Sequence, residues 1–279
     1  QNTTWLTRDT DANEFTLRGD VRYPAREPVE VTLNNVPDFF GGLLADALIT
    51  QGVTVGSVSA LGPRVEAIRL AAADEVLDGG RAVAVVTTPL SEVLRRCNTD
   101  SMNMYAEALL KGIGHAVTRD AGSWENGSAV LRMLLAEKLG PAFAASTTIS
   151  DGSGMSRANL VTPLTLTRWL DVLADDPAVS QVFIESLAAP GDGTLRRRFN
   201  NEKLFNDLRA KSGYINGVRT LSGYVTDPQT GRRIAFSVMV NNITTGEQHQ
   251  AALTLHEDLV KLVDRWLEAQ HPIEPKIGG

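Results

Sequence analysis

A chain of 279 residues with 43% hydrophobic content is long enough for one large core or two unequal domains. Its formal net charge of −6 argues against nucleic acid as a partner. One cysteine, Cys97, excludes an intrachain disulfide and a thiolate cluster, and the four histidines (His115, His249, His256, His271) show no metal-ligand spacing, so no metal or other cofactor is expected. No run approaches the ~20 apolar residues of a membrane span, and no charged-then-apolar signal opens the chain. Either the protein stays where it is made or a leader has been removed.

The first stretch predicts a small α/β piece. "EPVEVTL" (27–33) alternates as a strand, "PDFFGGLLADALITQG" (37–52) follows as a helix with Phe40, Leu43, Leu44, Ala47 and Leu48 apolar, and "VTVGSV" (53–58) is a second short strand. "AADEVLDGG" (72–80) marks a boundary, which divides the chain into 1–75 and 76–279. The strand "RAVAVVTTPL" comes next, then helices over 90–97, 102–111, 127–139 and 164–175, the last opened by Pro163 in its first turn. A loop-rich stretch holds "APGDGTL" (189–195). Three strands follow, "LRAKSGYING", "VRTLSGYVTD" and "RRIAFSVMVNN", the last two joined by the turn "DPQTG". Ile234, Phe236, Val238 and Val240 alternate with Ala235, Ser237 and Met239, a pattern for an antiparallel sheet covered on both faces. An amphipathic helix over 251–270 closes the chain, with Glu257, Asp258, Lys261, Asp264 and Arg265 on its polar face.

Two short motifs bear on chemistry. In "NTDSMNMYAEALLKGIG" (98–114), Ser101 and Asn103 stand two residues apart where an apolar helix begins. Residues i and i+2 do not share a helix face, so the pair converges on a ligand only if Ser101 lies in the turn before the helix. The alternative is a capped helix whose serine and asparagine satisfy backbone donors. Lys211-Ser212-Gly213 opens the late strand set, where ammonium, hydroxyl and close backbone approach together suit a carboxylate. Ser153 in "DGSGM" is not a nucleophile elbow, because Asp151 and Met155 stand where the outer glycines belong.

S-x-N at a helix head followed by K-[ST]-G on a late strand is the pairing of the penicillin-recognising serine enzymes, which use S-x-x-K as well. The blocks "PLSEVLRRCNTDSMNMYAEALLKGIG", "DGSGMSRANLVTP", "APGDGTLRRR" and "RAKSGYINGVRTLSGYV" resemble, in order, the class C low-molecular-mass penicillin-binding proteins, the D-alanyl-D-alanine carboxypeptidase/endopeptidases. The resemblance covers roughly residues 25 to 245. It implies an α+β fold of transpeptidase or β-lactamase type, with an antiparallel sheet flanked by helices beside a helical lobe. The N-terminal part would be the remainder of an inserted accessory domain.

The resemblance also implies a periplasmic or extracellular cell-wall hydrolase whose partners are peptidoglycan stem peptides and β-lactams. By motif, Ser101 would relay a proton, Asn103 would bind the substrate backbone, Lys211 and Ser212 would hold the terminal carboxylate, and Gly213 would admit it. The backbone of Tyr214 would complete the oxyanion hole, and Ser153, Met155 and Arg157 would line the pocket for the peptide side chain. There are two departures from the family pattern. Tyr214 stands where a threonine usually follows K-T-G, and no lysine of the chain has serine three residues before it, so S-x-x-K is absent. The chain is therefore expected to be the C-terminal part of a longer carboxypeptidase, inactive without its upstream segment. A non-catalytic peptidoglycan-binding scaffold and a β-lactamase or esterase are the alternatives.

Overall fold

In a computed structural model the chain divides into two units, residues 1–85 and 86–279. The structure describes residues 3–8, 13–24, 29, 31–55, 84–199 and 203–271. In the first unit β1 (Trp5–Thr7) and β2 (Thr16–Arg18) form an antiparallel pair with Trp5 opposite Arg18, and α1 (Val36–Thr50) begins with a proline in its first turn. The strands expected over 27–33 and 53–58 do not form in their described parts, 29, 31–33 and 53–55. Residues 84–89, inside the expected strand "RAVAVVTTPL", are likewise irregular, with Val85 79% and Val86 92% exposed. Alternation makes a strand only where a neighbour supplies donors and acceptors, and among the described residues none pairs with these. The segment 72–80 lies outside the described residues.

The second unit holds α2 (Leu90–Asn98), α3 (Asn103–Thr118), α4 (Trp124–Leu139), α5 (Pro141–Ala145), α6 (Pro163–Asp175) and α7 (Ser180–Ser186), then a 3-10 turn at Gly193–Leu195. The strands β3 (Asp207–Ile215), β4 (Val218–Thr226) and β5 (Arg233–Val240) follow, and α8 (Gly246–Glu268) comes last. The sheet order is β3-β4-β5, antiparallel throughout, with Lys211 opposite Ser222 and Ser222 opposite Ser237.

Paired residues share a face, so the register separates two rows of side chains. Leu208, Ala210, Leu221, Val225 and Phe236 pack with Val260 and Leu267 of α8. Tyr224 and Ala235 on the other face pack with Leu170 of α6 and with Leu187, and the Tyr224 hydroxyl donates to the Leu170 carbonyl at 2.7 Å. Both faces of the sheet are covered, which accounts for the apolar character of both rows of β5.

Several helices start or end away from the sequence boundaries because of their caps. Ser123 and Asn126 form a reciprocal capping box that begins α4 at Trp124, and Thr245 with Gln248 begins α8 at Gly246. Asp264, expected on the polar face of α8, is buried instead. It accepts from the backbone N–H groups of Phe205 and Asn206 at 3.1 and 2.9 Å and from the Asn206 side chain at 3.0 Å, tying the approach to β3 onto the helix. Among the described residues no helix is long and apolar enough to cross a membrane.

Candidate active site

The turn before α3 is held from several sides. The Thr99 hydroxyl donates to the Ser186 carbonyl at 2.6 Å, Asn98 donates to the Ser186 hydroxyl at 2.8 Å, and Arg96 pairs with Asp100 at 2.8 Å. The "GDG" loop closes over it: Thr194 donates its N–H to the Thr99 carbonyl, and a Cβ on Gly193 would come within 2.2 Å of that same oxygen. Ser101 adopts φ 58°, a left-handed conformation rare for serine. Met102, not Ser101 or Asp100, is the N-cap, and it makes no side-chain cap hydrogen bond. The capped-helix alternative therefore does not hold: the polar residues of this turn anchor it and do not terminate the helix.

What Ser101 does meet is Lys211. The Lys211 ammonium donates to the Ser101 hydroxyl oxygen at 2.7 Å and to the Ser212 carbonyl at 2.7 Å. Burial lowers the pKa of the lysine from its ordinary value, because the charged form loses water. With its oxygen accepting from lysine, the Ser101 hydroxyl keeps its own proton free to donate into the cleft. A hydroxyl placed this way can pass a proton between an amine and a reacting group.

The cleft, about 610 Å³, is bordered by Ser101, Asn103, Ser153, Met155 and the β3 edge from Lys211 to Tyr214. Among the described strands β3 is the edge of its sheet. Its outward groups at Ala210 bridge Ala188, and the stretch from Lys211 to Tyr214 beyond that bridge borders the cleft. Alternation puts the Ser212 side chain on the Leu221 row, opposite to Lys211, although Ser212 still borders the cleft at the strand edge. The Tyr214 ring is drawn onto the hairpin, with the Arg219 guanidinium 3.8 Å from its centroid and His249 edge-on at 5.7 Å. Gly213 has a local reason as well: a Cβ there would lie 2.3 Å from the hydroxyl of Thr220, its register partner.

Of the residues singled out in the sequence, Arg157 alone does not border this cleft. Its guanidinium donates to the Asn216 carbonyl at 2.8 Å, joining the 151–159 loop to the β3–β4 turn. Two further residues at the site carry no motif in the sequence. Thr220 lines the cleft beside Gly213. Glu107 accepts from the Gly152 and Ser153 backbone N–H groups at 2.9 and 3.0 Å and from the Trp124 indole at 2.8 Å. Its i+4 spacing from Asn103 on the same helix face was the available signal.

Beside the cleft, and sharing Gly152, Gly154, Leu166 and Trp169 with it, runs an apolar groove of about 480 Å³. Cys97, Leu109, Ile113, Leu131 and Val161 line it. Burial pushes the Cys97 thiol pKa up, against the pull of Lys211. Among the described residues no group of histidine, cysteine, aspartate or glutamate could hold a metal ion.

The chain is similar to several known proteins. A D-alanyl-D-alanine carboxypeptidase of Actinomadura sp. (strain R39) is 32% identical over 254 residues, which is 88% of this chain and 44% of that protein. The D-alanyl-D-alanine carboxypeptidase DacB of Haemophilus influenzae is 29% identical over 164 residues, 58% of this chain and 34% of its own length. The crystal structure of penicillin binding protein 4 (dacB) from Haemophilus influenzae, complexed with a novel β-lactam, superposes with a TM-score of 0.64 at 20% identity. The superposition covers 94% of this chain and 59% of that one, and establishes the shared fold. The chain thus spans about half or less of the curated relatives it matches. The family model for D-Ala-D-Ala carboxypeptidase 3 (S13) matches residues 1–265, and the chain belongs to that family.

Proposed function

We propose that this chain is the substrate-binding, C-terminal part of a serine-type D-alanyl-D-alanine carboxypeptidase/endopeptidase that acts on peptidoglycan stem peptides in the cell envelope and binds penicillin. The observation that carries this is the 2.7 Å contact between Lys211 and Ser101 in a cleft bordered by the edge strand β3 from Lys211 to Tyr214. The names of the relatives, D-alanyl-D-alanine carboxypeptidases and a β-lactam-binding protein, support the substrate and inhibitor class.

In the proposed reaction an extended peptide lies along the outer edge of β3. Its terminal carboxylate meets the Lys211 ammonium and the Ser212 hydroxyl, Asn103 binds its backbone, and the Tyr214 N–H donates to the developing oxyanion. A serine from an S-x-x-K segment upstream of this chain attacks the penultimate D-Ala carbonyl. The peptide bond between the two D-Ala residues breaks, and Ser101 passes a proton to the leaving amine. Water then hydrolyses the acyl-enzyme. The absence of S-x-x-K within the 279 residues, and the half-length match to the relatives, support placing the nucleophile upstream. The apolar groove that opens into the cleft offers room for the segment that would bring it.

The test is release of D-Ala from a D-Ala-D-Ala-ended stem peptide by the complete protein. Release, lost when the upstream serine is replaced by alanine, is the expected result. Peptide binding with no release would favour a scaffold, and rapid penicillin turnover without peptidase activity would favour a β-lactamase.

A further inference from the structure

The cleft has one wall that is not part of a helix or strand, the loop of Gly152, Ser153, Gly154 and Met155. A loop wall defines a pocket only if something fixes its backbone. Asp151 and Asn159 close the loop on itself: Asp151 accepts from the N–H groups of Gly154 and Ser156 and from the Asn159 side chain, and Asn159 accepts from the Ser150 N–H. These contacts shape the loop but do not attach it to the rest of the molecule.

Glu107 does. One carboxylate oxygen takes the Gly152 N–H and the Trp124 indole N–H, and the other takes the Ser153 N–H. The attachment is close: a Cβ on Gly152 would lie 2.3 Å from the Ala106 carbonyl, so only glycine lets this backbone descend onto α3. The partner on α4 is itself held, with the Lys111 ammonium 4.0 Å from the centroid of the Trp124 ring. Burial opposes the charge on Glu107, but the hydrogen bonds from Ser153, Gly152 and Trp124 outweigh it and bring its pKa down to about 2. The acceptor is therefore a full carboxylate at any working pH.

We infer that Glu107 is a positioning residue for the substrate-side-chain wall of the cleft: its carboxylate clamps the Gly152 and Ser153 amides onto α3, one turn after Asn103, and thereby fixes where Ser153 and Met155 stand relative to the S-x-N and K-S-G groups. One helix then sets two walls, Asn103 facing the substrate backbone and Glu107 holding the loop that faces its side chain. The substrate consequence rests on the proposed peptidase activity; the clamp itself does not.

Glutamine at 107 keeps size but offers one acceptor and turns an NH₂ toward donors, whereas aspartate keeps the charge on a shorter arm. Amide hydrogen exchange on the 279-residue chain reads the clamp directly. Glu107→Gln is expected to raise exchange at Gly152 and Ser153 about ten-fold or more, the scale of one lost charge-assisted hydrogen bond, while Glu107→Asp restores part of the protection. The β4 amides of Leu221 and Val225 should exchange as before in both variants. Unchanged protection at Gly152 and Ser153, or a loss spread equally over β4, overturns the clamp. In the complete protein, Glu107→Gln should raise KM for a stem peptide about ten-fold and leave kcat within about two-fold; a fall in kcat at constant KM overturns the positioning role. If the complete wild-type protein releases no D-Ala, the proposed function fails while the exchange measurement still decides the clamp.

Discussion

The two halves of the second unit are finished to different degrees. On the sheet side Leu221, Tyr224, Val225 and Ala210 are fully enclosed between α8 and the helices across the sheet. On the helical side Leu110 and Leu135 are buried, yet they share the wall of an open apolar groove with Leu109, Ile113 and Leu131. The β3 edge and the S-x-N turn lie at the join. The sheet side supplies an enclosed platform for Lys211, and the helical side keeps an apolar groove at its surface. Under the proposed function this unit would hold the substrate-binding half of a catalytic site, with the nucleophile supplied from an upstream segment.

The largest expected effect tests that contrast in stability. Leu221→Ala should cost about 2–5 kcal/mol in the 279-residue chain, the range for truncating a fully packed core leucine. Leu109→Ala should cost less than about 1 kcal/mol there, because its side chain already borders open space, and more in the complete protein if the groove is filled. Denaturant melts of both variants in both lengths would check it; equal costs in the short chain would erase the distinction.

Acid sharpens the same comparison. His256 is fully enclosed on α8, and burial, with Arg198 and Arg219 nearby, brings its pKa down to about 4 from 6.5. Below pH 6.5 the unfolded chain takes up a proton that the folded chain refuses, so stability falls as pH drops from about 6.5 to about 4 and then levels for this group. The loss is on the order of 3 kcal/mol across that window. His256→Gln should flatten the slope between these pH values; an unaltered slope would place the acid sensitivity elsewhere.

At the join, Lys211→Ala in the complete protein removes a charge-assisted hydrogen bond of roughly 1.5–3 kcal/mol to a substrate carboxylate. Acylation by a D-Ala-D-Ala peptide should fall about 10- to 150-fold, and a substrate with its terminal carboxylate amidated should lose much less from the same substitution. Equal losses on acid and amide would remove Lys211 from carboxylate binding.

The smallest effect belongs to Arg157. Its guanidinium holds a backbone carbonyl at an exposed turn, so Arg157→Ala should change stability by less than about 1 kcal/mol. If it also reads a charged group on the peptide side chain, the relative rates on diaminopimelate- and lysine-containing stem peptides will shift. Unchanged relative rates would leave it a loop latch.

The sequence disclosed most where local pattern and tertiary demand coincide. The strands around Lys211 and the helix after Ser101 carry their periodicity openly, and the family blocks place them in order. It disclosed least where a residue is defined by something distant in the chain. Asp264 reads as one more charge on a polar face, and only the approach of residues 205 and 206 makes it a buried acceptor. Glu107 reads as an ordinary helix glutamate until the loop 45 residues later descends on it. Val85 and Val86 have the β-branched side chains of a strand but, among the described residues, no neighbour to pair with. Thr220 becomes a cleft residue only through its register with Gly213.

The most direct measurement of the central claim is intact-mass spectrometry after exposure to penicillin, on the 279-residue chain and on the complete protein side by side. The account predicts no added mass on the chain alone and one penicilloyl group per complete protein, mapped to the serine of an upstream S-x-x-K. A stable adduct on the 279-residue chain, mapped to Ser101 and lost in Ser101→Ala, would contradict it by making the supposed proton relay the nucleophile.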